Sequence, residues 1–438
     1  MSPSMSLPML KLIVTSSQRH SVLMGLLLLG FLTVPHFVFV YFGQSSVAMG
    51  LFAYAVSLLL LYAGRSRLRL NTTQWGILGI VTTSILFYRG SDLSRQLLSL
   101  AVMALIFFAA NCLFRDLERQ SDRALRRIVK CFFFLLLAIG INGKLSLLAP
   151  GAYAPEITVF PFYEPSHFAL TFCPVACAYL LQLQGWRRLG AAGLCLAMAL
   201  WYPNTTFLAG CVLMFLVILR AWLLLFGGAV LALVGAYVGF QEVERLPQYE
   251  YFASRMGGQE ADDNLTYLVY VQGWEQARIA VSGTYGLGVG FQRFGREPAG
   301  ETADRIESRY GVPVNRQDGS NLGTKLIGEF GLLGAMATAL MVLRAGWSFF
   351  QLRKLCRRKL VRARTIDVLF LSCALMFVIE VFFRGMSYFN PMLYLYCYSV
   401  GRLTPGLARR PESWSEATAL VAPVVSAPNN RLSPHESR

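Results

Sequence analysis

The chain has 438 residues, 55% of them hydrophobic, and a formal net charge of +16. A mean hydropathy of +0.49 excludes an ordinary soluble domain. The apolar residues come in runs of about 20, enough to cross hydrocarbon, so the expected class is an all-α polytopic membrane protein. In a soluble protein this much positive charge would suggest nucleic acid. Here Lys and Arg gather in alternate loops, and the retention of basic loops in the cytoplasm explains them without a nucleic-acid partner.

In chain order, Lys11 and Arg19 precede the first expected span at 21–41, which is too long for the core of a cleavable signal. Spans follow at 47–63, 75–88, 96–114 and 131–149, with basic loops after the second and fourth. The segment 150–166 lacks Lys and Arg and is rich in proline and aromatics, which predicts an interfacial stretch. Further spans are expected at 167–183, 189–202, 205–219 and 221–240, completing a transmembrane region over 1–241. A polar loop domain at 242–320 is expected on the outer side. Span ten at 322–343 then leads into a basic loop at 344–364, and two last spans flank the turn at 384–391. The total is about twelve spans with both termini cytoplasmic, and every strongly basic loop lands on one side. The spans of 321–403 precede a tail, 404–438, rich in Ser, Pro, Ala and Arg, which is expected to be disordered.

The nine cysteines lie in apolar runs, apart from Cys356, so no disulfide framework is implied. Cys173 and Cys177 share a helix face, but with neither His nor a third thiol beside them core packing is the better explanation. No metal or other cofactor is expected. The outer face collects Arg89, Arg95, Glu164, His167, the 242–320 interval, Glu380 and Arg384. Arginines there need a reason other than topology, and a phosphate-bearing ligand matches their planar fork. Pairing with nearby acids is the plainer alternative, as for Glu275 and Arg278 three apart on an expected helix at 264–281. Asp262 and Asp263 suit that helix's N-terminus. The turn Gly286-Leu287-Gly288-Val289-Gly290 after it offers backbone that can approach a ligand closely.

The order of Glu164-Pro165-Ser166-His167, Arg255, Arg278, the glycine turn with Arg293, Ser320-Asn321 and Glu329 through Gly334 resembles the Wzy-type O-antigen and exopolysaccharide polymerases. These belong with the O-antigen ligases in one membrane superfamily, and the resemblance covers about residues 150 to 395. It implies a GT-C-like, metal-independent glycosyltransferase of the bacterial inner membrane, with its active site on a periplasmic loop between spans nine and ten. The implied substrate is an undecaprenyl-pyrophosphate-linked oligosaccharide, and the implied reaction moves the growing glycan onto an incoming repeat. Membrane lipids and a chain-length regulator (a polysaccharide co-polymerase) are the implied partners.

By the same likeness Arg255, Arg278 and Arg293 hold the pyrophosphate, with Arg384 and Arg89 as weaker additions. Many relatives carry His before the Asn that opens span ten, where this chain has Ser320. Glu164 and His167 therefore stand in as candidates for the base, beside Asp318 and Glu380. Ser320, Asn321 and Lys325 are candidates for lining the site, although Lys325 could equally snorkel to the interface. Glu329, costly inside a span, is expected in a buried structural pair. A ligase to lipid A-core, and a flippase of lipid-linked oligosaccharide, are the alternatives.

Overall fold

A computed structural model describes residues 16–43, 46–64, 68–87, 92–145, 159–162, 164–201, 204–219, 264–357, 363–385 and 387–403. Arg89, Arg255, Asp262, Asp263, span nine at 221–240, most of the 150–166 segment and the tail from 404 lie outside the described residues. Among those described, the chain is helical, and its only β-type pairing is an isolated bridge between Val159 and Phe162.

In chain order the helices are α1 (Ser16–Tyr41), α2 (Val47–Tyr62), α3 (Thr72–Phe87), α4 (Leu93–Glu118), α5 (Asp122–Leu145), α6 (Pro165–Gln182), α7 (Gly185–Trp201) and α8 (Thr205–Ile218). After the undescribed stretch come α9 (Leu265–Gly283), α10 (Glu301–Tyr310), α11 (Leu322–Arg357), α12 (Thr365–Phe382) and α13 (Pro391–Arg402). Helices α1, α4, α11 and α12 are long and apolar enough to cross a membrane, and α2, α3 and α8 are shorter apolar helices. The chain is therefore a helical, membrane-embedded protein.

Local chemistry sets the helix starts. Asn71 and Gln74 exchange side-chain bonds with each other's amides at 3.0 and 2.9 Å, a capping box that opens α3. The Gln74 amide also reaches the Asn111 side chain of α4 at 2.8 Å, a polar clasp where no apolar force favours helix pairing over lipid. Asn204 and Asn264 cap α8 and α9 by accepting from Phe207 and Thr266 amides at 3.0 Å each.

Helix α6 is buried from Ser166 to Leu181, and α12 and α13 are nearly as enclosed, so these three form the centre. Helices α5 and α8 pack on α6, α11 packs on α12, and α9 lies against α11. Cys173 packs against Gly210 of α8, and both Cys173 and Cys177 are buried and free, as core residues.

At one end of the bundle, arginines meet carbonyls left over by helix termini. Arg188 donates to Leu180 O and Leu183 O at the end of α6, at 3.1 and 2.8 Å, and Arg353 donates to Leu216 O of α8 at 3.1 Å. Arg364 likewise reaches Glu118 O at the end of α4. A guanidinium there satisfies orphan acceptors and opposes the negative end of the helix dipole.

Two expectations for 322–364 need correction. The stretch expected as a basic loop from 344 is largely helix, because α11 runs on to Arg357. Arg and Lys are good helix formers, and Lys354 and Arg357 suit a last turn. Moreover, α11 is not one straight span. Its backbone leaves helical geometry at Gly331 (φ 58°, ψ −130°), splitting it into an arm, 322–330, and a long shaft, 332–357. The glycine turn after α9 fills this break. Val289 and Gly290 donate to the Gly328 and Glu329 carbonyls at 3.0 and 2.8 Å, and Leu332 donates to Gly286 O at 2.8 Å. The turn's close approach is thus to the α11 backbone. Of the glycines spaced three apart at 328, 331 and 334, Gly328 packs closely, with no room for a β-carbon against Phe294 beside the α9 backbone at Ala277, while Gly331 makes the elbow.

A β-carbon at Gly331 would run into the Gly286 carbonyl, besides facing a positive φ. Gly331→Ala should lower the thermal midpoint in detergent by the equivalent of more than ~3 kcal/mol. Gly346→Ala, where a β-carbon meets open space, should instead be neutral or stabilising by up to ~1 kcal/mol.

Candidate functional site

Polar side chains converge at the end where α6 and α11 begin and α12 ends. Glu164 is the N-cap residue of α6, with extended backbone and Pro165 at the first helical position. Arg384, just past α12, places Nη2 2.7 Å from Glu164 Oε1, joining residues 220 apart in sequence. Ser166 Oγ donates to the other carboxylate oxygen at 2.8 Å. Burial alone would raise the Glu164 carboxyl. The Arg384 guanidinium, then His167 and the Ser166 hydroxyl, outweigh it and hold the carboxyl below its ordinary value.

His167 follows on α6, 7% exposed, with Nδ1 lacking any hydrogen-bond partner. The His36 ring of α1 lies 5.7 Å away, centroid to centroid, and its Nδ1 is equally unpartnered. His36 belongs to none of the motifs read from the sequence. The signal was present, since an imidazole within an apolar run is a functional candidate by default.

The neighbouring strut is the start of α11. Ser320 takes a left-handed backbone (φ 52°), sparsely populated for a non-glycine residue, and its carbonyl accepts from Gly385 N at 3.0 Å. This bond ties the α11 arm to the segment that carries Arg384. Asn321 is fully buried and caps α11, its Oδ1 accepting from Thr324 N at 2.9 Å. Its side chain is committed to positioning.

Lys325 is 2% exposed, so the snorkelling alternative does not hold. Nζ donates to Gln317 O at 2.9 Å and sits 3.6 Å from Asp318 Oδ1 and 5.4 Å from the Tyr388 ring centre. A buried ammonium needs such partners.

Behind Lys325 lies Glu329, wholly buried. Its carboxylate accepts from Tyr388 OH at 2.8 Å, from Phe294 N at 3.4 Å and from Gln292 N, with Lys325 as the nearby positive charge. Burial, then Glu329, push the Tyr388 phenol well above its ordinary value, so it remains a hydrogen donor. Phe291 stacks on Tyr388 at 5.5 Å, its amide bonds to Ser84 Oγ of α3 at 3.0 Å, and its carbonyl accepts from Gln96 of α4 at 2.9 Å. Arg296 pairs with Asp92 at the start of α4. The 291–296 turn is thereby pinned to three helices. A second buried carboxylate, Glu380, accepts from Asn390 at 2.7 Å and keeps Oε2 unpartnered.

The arginines of the loop divide. Arg293 rides on the pinned turn, half-buried, with Nε out of solvent and unpartnered. Arg278 lies on the exposed side of α9, opposite the face formed by Leu268, Gln272, Gly273, Gln276 and Ala277. The described residues do not bring it into the cluster. Nor does Glu275 pair with it. The Glu275 carboxylate accepts from the Glu301 and Thr302 amides at 2.9 Å each, capping α10 from the neighbouring helix. Helix α10, unforeseen in the sequence, rests on α9 through Ile306 against Leu268 and Val269.

The chain matches no family model and no curated protein.

Two stability tests follow from the geometry. Tyr388→Phe leaves Glu329 one donor short and should cost ~1–3 kcal/mol. Glu329→Ala leaves the Tyr388 hydroxyl and two amides without their acceptor and removes a nearby counter-charge of Lys325, and should cost ~3–5 kcal/mol, both read as shifts in detergent melts. For Glu164, the folded value lies below the unfolded one. Its contribution is complete above the ordinary carboxylate range and is lost as pH falls through the lowered value. Glu164→Gln should therefore flatten the decline of the melting midpoint below about pH 5, relative to the parent protein.

Proposed function

We propose that this chain is a polysaccharide polymerase of the bacterial inner membrane. It would transfer a growing glycan from undecaprenyl pyrophosphate to the non-reducing end of an incoming lipid-linked repeat, from a GT-C-like scaffold of about twelve spans with its site facing the periplasm. The observation that supports this most is the pairing of Glu164 with Arg384 at a membrane helix start, locked to the Ser320–Asn321 junction. Glu164 and Ser320-Asn321 are among the positions on which the resemblance to the Wzy-type enzymes rests, and Arg384 is added to them by the pairing. The Arg293 Nε, buried and unpartnered on the turn after α9, adds support.

The reaction needs two things from such a site. As the acceptor hydroxyl bonds to the anomeric carbon, the bond to the diphosphate oxygen breaks and its electron pair leaves with the diphosphate. Fixed guanidinium groups favour that departure because they stand where negative charge grows. Arg293 and Arg384 take this role, together with Arg278, which has no acid partner among the described residues. Arg255 and Arg89 belong to the same proposal.

The hydroxyl proton must also leave. Glu164 accepts it, with the His167 ring orienting the hydroxyl. Arg384 keeps Glu164 ionised, and a weakly basic carboxylate suffices because the proton turns acidic only as the new bond forms. Lys325, Asn321 and Ser320 hold the surrounding backbone in place. A chain-length regulator in the same membrane is the proposed protein partner.

Chromatographic sizing of surface glycan in a deletion strain tests this. Loss of the gene should leave single-repeat caps; absence of caps would indicate a ligase or flippase instead. Complementation with Glu164→Gln, Arg384→Ala or Arg293→Ala should leave membrane expression intact and give only single repeats. Parental chain lengths from all three variants would remove the assignment.

A further inference from the structure

The turn that closes α9 was expected in a water-facing loop, yet its backbone is built for a place without water. Every amide N–H from Thr284 to Gly290 has an acceptor inside the protein. Those of Thr284 to Leu287 bond back to α9 and its cap, Gly288 bonds to Thr284 Oγ1 at 2.8 Å, and Val289 and Gly290 bond to α11. A loop in water has no need to satisfy seven consecutive donors internally, whereas backbone at membrane depth must.

The side chains point the same way. Tyr285 is 98% exposed and Leu287 70%, the reverse of what apolar turn residues do in water. They adjoin the shaft of α11, because Gly286 abuts Leu332. Leu332, Met336, Leu340 and Leu343 are each more than half exposed and fall on one face of that shaft. This helix is long and apolar enough to cross a bilayer, so its bare apolar stripe meets acyl chains. Tyr285 and Leu287 prolong the stripe past the Gly331 break.

We propose that the elbow Thr284–Gly290 is seated within the bilayer, with Tyr285 and Leu287 packed against lipid acyl chains. The interval after α9 then contains a membrane-dipping element, and the Glu329 cluster behind it stands at lipid depth. A ligand carried on a lipid chain would reach the Arg293 turn sideways from the membrane. The placement of the elbow holds whatever reaction the site performs.

Fluorescence quenching in liposomes tests the placement on the full-length protein. A coumarin amino acid is introduced at Tyr285, separately at Leu287, and at Val312 in the turn after α10 as a reference, since Val312 is 56% exposed and follows a helix of mostly polar residues. Each variant is first checked for monodisperse elution, which two independent elbow positions safeguard. At 285 and 287 the probe should lose most of its emission to lipids brominated on their acyl chains and little to aqueous iodide, with Val312 showing the opposite. Iodide quenching at 285 and 287 equal to that at 312, without loss to brominated chains, would overturn the proposal.

Discussion

One carboxylate, Glu329, holds this end of the molecule together. A charge with no exposure to solvent is costly unless it is fully coordinated. Its donors come from three places: Tyr388 between α12 and α13, the amides of Gln292 and Phe294 in the turn after α9, and Lys325 one helical turn back as counter-charge. Removing any one leaves Glu329 short of a partner where solvent cannot replace it. Satisfying Glu329 therefore fixes the relative placement of the α11 arm, the Arg293 turn and the α12–α13 connection. The break at Gly331 sits two residues on, and the glycine turn supplies the donors that the interrupted α11 ladder gives up.

From that anchor the candidate site follows by short steps. The α11 arm presents Ser320, whose carbonyl catches Gly385. Gly385 follows Arg384, and Arg384 reaches across to Glu164 at the head of α6. The guanidinium groups at the two ends of the bundle do different things. Arg188, Arg353 and Arg364 are spent on terminal helix carbonyls. Arg384 faces a carboxylate, and Arg293 keeps an unpartnered edge.

Much of the scaffold was legible in the sequence because apolar runs record burial in lipid locally. The helix expected at 264–281 is observed at Leu265–Gly283, and the stretch expected as a span at 205–219 holds a shorter apolar helix, Thr205–Ile218. What escaped were interactions set by partners distant in the chain. Glu275 and Arg278 have the spacing of a helical ion pair, but amides of α10 compete for the carboxylate and win with two bonds. Lys325 could have snorkelled, but Gln317 O, Asp318 and Glu329 offered an interior alternative. Glycines at 286, 288 and 331 announced close approach without saying to what. The site was half legible: Glu164, Arg384 and Lys325 were singled out, whereas His36 and Tyr388 were not, since nothing in periodicity ties a histidine of α1 to His167, or one tyrosine among many to a carboxylate 59 positions back.

The most direct measurement of the central claim uses purified protein reconstituted with a chemically defined undecaprenyl-pyrophosphate-linked repeat, with products resolved by size. The expected result is a ladder of multi-repeat glycans still on the carrier, with one undecaprenyl pyrophosphate released for each repeat added. Active, folded protein that moves the intact substrate between leaflets, or leaves it unchanged, without any linkage forming between repeats would contradict it.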